Sequence, residues 1–105
     1  MTLKISRKAL DDLRSIRAYT EKKWGRDQWL QNYQTLAKGF ETIEAFPQKG
    51  RDRSLFAPHM RSILVGQHIV FYLQKQPKSP VIILRIIHQK QYLPALSYYE
   101  DIEDS

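Results

Sequence analysis

The side chains best suited to chemistry are bunched in the second half of the chain: Arg61, His68, Tyr72, Arg85, His88 and Lys90 all fall on or just after three apolar, β-prone segments. Metal-free cleavage of RNA needs a base to activate the 2′-hydroxyl, an acid for the leaving oxygen and cations around the crowded phosphate. Arg61, His68, Arg85 and His88 supply those residue types. If the chain is a ribonuclease these four are its candidate catalytic residues; otherwise no catalytic residue is expected. The same side chains also suit a sheet surface that solvates its edges and meets a partner, and residue by residue that plainer reading carries more weight. Alternation along regular strands puts His68 on one face with Val70 and Tyr72, and Arg85 with Val81, Ile83 and Ile87, with His88 pointing the other way.

Other chemistries find little support. Gly25, Gly39, Gly50 and Gly66 are isolated, and neither GxGxxG nor GxxxxGK occurs, so no phosphate-cradling loop is present. The three histidines show no HxH, HxxxH or HExxH spacing and there is no cysteine, so neither a metal site nor a cofactor is expected. The adjacent or near-adjacent acids Asp11-Asp12 and Glu41-Glu44 read as solvated helix surface.

These residues must be positioned by a small number of elements. Leu3-Lys4-Ile5 alternates like a short strand and runs into Ser6, a helix N-cap. Leu10, Leu13, Ile16, Thr20 and Trp24, with Tyr19 alongside, form a stripe at helical spacing that Gly25 ends. A second helix follows at once, with Asp27 as its expected cap and Trp29, Tyr33, Leu36, Phe40 and Ile43 as its apolar stripe; Pro47 closes it. With almost no linker the two helices should form an antiparallel hairpin. Residues 48–59 read as a loop holding at most one helical turn. Strands are expected around Arg61–Val65 and His68–Gln74, joined across Gly66-Gln67, and then at VIILRII, whose β-branched run suits a central strand. A short helix is expected over 94–100, with 100–105 a disordered acidic tail. The order implies one α+β domain over residues 1–105, a helical hairpin packed on a small, curved, mainly antiparallel sheet.

Bulk properties narrow the setting. A chain of 105 residues is too short to split into two self-sufficient cores. No apolar run approaches the roughly 20 residues needed to span a bilayer, and the start MTLKISRKAL has no secretory pattern. A cytoplasmic protein with no membrane partner is expected. The net charge is +6, yet four of the eleven acids lie in the last six residues, so positions 1–99 carry 17 bases against 7 acids. Such a body attracts a polyanion or an acidic protein.

Three segments taken together, DLRSIRAYTEKKWG (12–25), FPQKGR (46–51), and MRSILVGQHIVFY (60–72) with ILRIIH (83–88), resemble the ParE-type toxins of the RelE/ParE superfamily of bacterial toxin-antitoxin systems. The resemblance spans about residues 9–92. It implies a strand, a helical hairpin and a curved antiparallel sheet. It also implies a type II toxin neutralised by a cognate antitoxin. Within the superfamily, GQHIVFY and RIIH resemble the branch that poisons DNA gyrase and blocks replication without chemistry of its own. The alternative is the RelE-like branch, a ribosome-dependent mRNA endonuclease. That branch usually has arginine where this chain has His68, and more cations than Gln89-Lys90-Gln91. On this reading the expected partners are the antitoxin and gyrase, alone or with its bound DNA. Arg61, Tyr72, Arg85, His88, Lys90 and Tyr92 are the candidate contact residues.

Overall fold

A computed structural model describes residues 3–91. In chain order the elements are β1 (Leu3–Ile5), α1 (Arg7–Trp24), α2 (Arg26–Ala45), β2 (Arg51–Asp52), β3 (Met60–Val65), β4 (His68–Leu73) and β5 (Val81–His88), followed by a 3₁₀ turn at Gln89–Gln91. The five strands form one mixed sheet in the order β1-β5-β4-β3-β2. Only β1 and β5 run parallel; the other pairings are antiparallel. The expected helix over 94–100, the acidic tail and Tyr92 lie outside the described residues.

Each helix end has a local cause. Ser6 caps α1, its hydroxyl accepting from the Ala9 N–H at 3.1 Å while donating to the Leu84 carbonyl at 3.0 Å. Gly25, at φ 96°, ends α1 and also stands as the residue before α2. Asp27 is therefore not the cap expected from sequence: α2 begins two residues earlier than that cap implies, at Arg26, and Asp27 sits inside its first turn, where a carboxylate complements the helix dipole instead. The two-residue β3–β4 turn takes Gly66 at φ 61°, the positive φ that a type II′ hairpin requires at its first central position.

The main core lies between the hairpin and one face of the sheet. Leu36 and Ile43 of α2 meet Val65, Val70, Tyr72, Val81, Ile83 and Ile86, with Ala9 of α1. Burying a side chain such as Leu36 or Ile43 contributes on the order of 1.5–3 kcal/mol. The α1 stripe is shifted from the expected one. Ala9 and Thr20 are buried and Leu13 and Ile16 partly so, whereas Leu10, Tyr19 and Trp24 are exposed, as is Tyr33 on α2. Leu13, Ile16 and Thr20 keep their expected side, and taking Ala9 rather than Leu10 at the start of the stripe lets a small residue meet the sheet closely. The stranded rings are not bare, since the Lys23 ammonium lies 5.5 Å from the centre of Tyr19 and 5.4 Å from that of Trp24.

A second cluster on the opposite face joins Met60, Phe71 and Ile87, with Phe56 and Ala57 of the loop before β3 folded against it. That loop also holds β2, a two-residue strand the sequence did not suggest, paired with Arg61 and Ser62. The strand β5 breaks its alternation. Phe71 pairs with Arg85 but Tyr72 pairs with Ile83, so Leu84 is an extra residue, a β-bulge. Regular alternation had put Ile87 with Ile83; after the bulge Ile86 faces the helices and Ile87 faces away. His88 correspondingly turns to the helix side, opposite His68.

Candidate functional site

The bulge decides where the chemistry-bearing side chains go. His68 and His88 are direct cross-strand partners, their rings edge to face with centres 5.3 Å apart. They open on a hollow of about 460 Å³ between α1 and the end of the sheet, with Asp12, Tyr19 and Lys90 in its wall. The Lys90 N–H donates to Nδ1 of His88 at 3.1 Å, so in the neutral ring the proton sits on Nε2, which lies 3.3 Å from the Gln67 side-chain oxygen. His68 is 9% exposed. Burial first, and the neighbouring His88 second, hold its imidazole below the ordinary value of 6.5.

That depression fixes a pH dependence. Above about pH 6.5 His68 is neutral folded or unfolded, and its contribution is fully present. As pH falls below that, the unfolded chain takes up a proton first, so stability is lost down to the folded pKa. Urea midpoints are therefore expected to fall between pH 7.5 and pH 5.5, and to fall less in His68→Gln. An equal drop in both proteins would show that other groups carry it.

The remaining candidates lie elsewhere. Arg61 pairs with Tyr72 while His68 pairs with Val65, four positions along the same ladder, roughly 13 Å at about 3.4 Å per residue. Arg61 donates to the Gly50 carbonyl at 3.0 Å. Tyr72 is a core residue, 1% exposed, whose hydroxyl donates to the Pro47 carbonyl at 2.8 Å and accepts from the Gly50 N–H at 3.0 Å. It offers a partner almost no surface, only the floor of a hollow beside Arg61. Burial raises its phenol above the ordinary value, against the opposing pull of the Gly50 N–H and the Arg61 charge.

Arg85 is committed to a residue that sequence reading set aside. Its Nε lies 2.8 Å from Oδ2 of Asp12 and its terminal nitrogen 3.1 Å from Oδ1, a two-pronged pair. Oδ2 of Asp12 also accepts from the Ile86 N–H at 2.9 Å. Asp12 is therefore not solvated surface, as the Asp11-Asp12 doublet suggested: its side chain is 16% exposed and ties α1 to β5. It lies beyond the three residues of β5 that β1 covers, where the strand edge needs another acceptor. Only Asp11 fits the solvated reading, with a looser contact to Arg14 at 3.5 Å.

The expected constellation thus divides: the histidines with Lys90 line one hollow, Arg61 lies with Tyr72, and Arg85 is turned to Asp12 in that hollow's wall without lining it. Among the described residues no group of three or more His, Cys, Asp or Glu is placed to hold a metal ion, and no helix is long and apolar enough to cross a membrane.

The strand, helical hairpin and sheet order invite comparison with known proteins. Residues 3–93 match the family described as the ParE toxin of the type II toxin-antitoxin system parDE. The chain belongs to the ParE toxin family. Relatives include Toxin ParE1 of Caulobacter vibrioides, 31% identical over 86 residues, which covers 82% of this chain and 86% of that protein. Toxin ParE of Escherichia coli is 29% identical over 82 residues, 78% of this chain and 79% of that one. Among solved structures, one of the chromosomal ParDE system from P. aeruginosa superposes with a TM-score of 0.70 at 23% identity, covering 84% of this chain and 95% of that chain. The ParE fold therefore holds here with Asp12-Arg85 as its clasp.

Proposed function

We propose that this ParE-family toxin stops replication by binding DNA gyrase in the cytoplasm, and that a cognate antitoxin holds it off. The observation that carries the reading is the dispersal of the ribonuclease candidates. A phosphate seated between His68 and His88 would find neither arginine beside it, since Arg85 is drawn to Asp12 and Arg61 lies at the other end of the ladder. Binding requires no such convergence. The excess of bases over positions 1–99 favours fast encounter with an acidic antitoxin or with DNA held by gyrase.

The competing reading, an mRNA endonuclease, draws on the His68–His88–Lys90 hollow, which does gather two imidazoles and a cation. Induction in bacteria with separate pulse-labelling of DNA and protein synthesis distinguishes the two, alongside supercoiling and cleavage assays on purified gyrase. DNA synthesis is expected to stop first, with gyrase inhibited. Early arrest of translation with new mRNA ends and unaffected gyrase would overturn the reading. His88→Ala is expected to leave gyrase inhibition within about tenfold, whereas loss of an acid-base residue removes about 10²–10⁴-fold.

A further inference from the structure

A different part of the molecule carries the most unusual surface. Phe46, directly after α2, is 64% exposed. It borders an open, largely apolar hollow of about 590 Å³ that also includes Lys49. A second hollow of about 220 Å³, with His59, Arg61 and Lys75 in its wall, shares Pro47, Gln48, Gln74 and Pro77 with the first. The two are one continuous surface, an aromatic ring beside a row of nitrogen donors. Among the described residues neither hollow has an acid in its wall. Asp52, across the β2–β3 pair from Arg61, has its Oδ1 engaged by the Ser54 N–H at 2.7 Å. Arg61 is held in place by the Gly50 carbonyl, and His59 beside it takes a left-handed backbone at φ 66°.

An exposed ring next to a row of nitrogen donors, Arg61 among them anchored, is the arrangement that holds unpaired nucleotides, because every base offers a face to stack and every linkage offers an anion. We propose that this surface binds single-stranded nucleic acid, with a base stacked on Phe46 and phosphates seated on Lys49, His59, Arg61 and Lys75. An acidic peptide would match the cations and leave the ring unused. The inference stands apart from the gyrase reading, since it concerns the affinity of this chain alone, and either can fail without the other.

Fluorescence anisotropy with labelled dT12 and rU12, using the full chain at low salt and across a salt series, tests it. Both oligomers are expected to bind. Phe46→Ala should weaken binding about tenfold and Phe46→Tyr should restore it. Lys75→Gln should lower the slope of log affinity against log salt by about 0.7. Lys22→Gln, at the far end of the hairpin and about 30 Å away along α2, should leave the slope unchanged. Tighter rU12 binding identifies RNA as the preferred source, tighter dT12 binding identifies DNA, and both sustain the proposal. It is overturned if neither oligomer binds, or if Phe46→Ala is silent while Lys22→Gln acts as strongly as Lys75→Gln. It is equally overturned if an oligoglutamate peptide of matching length binds more tightly than either oligomer. Thermal melts of each variant matching the parent establish that the exposed substitutions leave the fold intact.

Discussion

Replacing Asp12 by alanine is expected to destabilise the fold by about 2–3 kcal/mol, the size associated with breaking a partly buried charge pair that also leaves a backbone donor unmet. Two consequences add. The guanidinium of Arg85 loses its two-pronged partner, and the Ile86 N–H loses its acceptor on an edge that β1 does not cover. Asp12→Asn is expected to fall between, since a carboxamide oxygen can still accept from Ile86 while the charge is gone. Arg85→Ala should cost less than Asp12→Ala, because Asp12 keeps its bond to the backbone. Urea denaturation of the three variants measures the order. A loss under about 0.5 kcal/mol for Asp12→Ala would place the pair among ordinary surface contacts.

The second large effect concerns the tyrosine at the other end of the same face. Tyr72→Phe removes one hydroxyl and strands both the Pro47 carbonyl and the Gly50 N–H in a region with little water, a loss of about 1–3 kcal/mol. Gly50→Ala should be at least as costly, because a Cβ there would overlap the Tyr72 hydroxyl and crowd the Ser62 carbonyl at 3.0 Å. The double variant is the informative measurement. Deleting the hydroxyl relieves part of the overlap, so the two losses should sum to more than the double variant shows, by about 1 kcal/mol. Strict additivity would mean that the loop carrying Gly50 moves away freely and that Tyr72 does not clamp it.

How much of this was legible beforehand differs from element to element. Ser6 acts through its own hydroxyl and Gly25, Gly66 and Pro47 through their own backbone chemistry, so the boundaries they mark could be read from the chain alone. The stripe on α2 was legible too, because Trp29, Leu36 and Ile43 bury where the spacing puts them. The bulge at Leu84 was not. A run such as VIILRII is apolar at nearly every position, so its composition gives no parity and nothing marks the extra residue. Asp12 was lost for a related reason: Asp11 and Asp12 are chemically the same, and the difference lies in which one α1 turns toward β5. The short strand β2 draws on polar residues, Arg51 and Asp52, and exists because β3 offers it a ladder. Sequence named the histidine pair as candidates but put His88 on the wrong face, an error that follows directly from the bulge.

The parallel pairing of β1 with β5 has a temporal consequence. Ser6 and Leu84, which it brings together, are 78 residues apart, and Asp12 and Arg85 are 73 apart. Contacts that span so much chain form late, because the ordering cost of closing the loop precedes any gain from the contact. During synthesis the helical hairpin and the β3–β4 ribbon precede β5. The open edge and the unmatched carboxylate of Asp12 wait for it. A nascent chain stalled before residue 81 therefore holds the hairpin and the β3–β4 ribbon without the strand that joins β1 and Asp12 to the sheet.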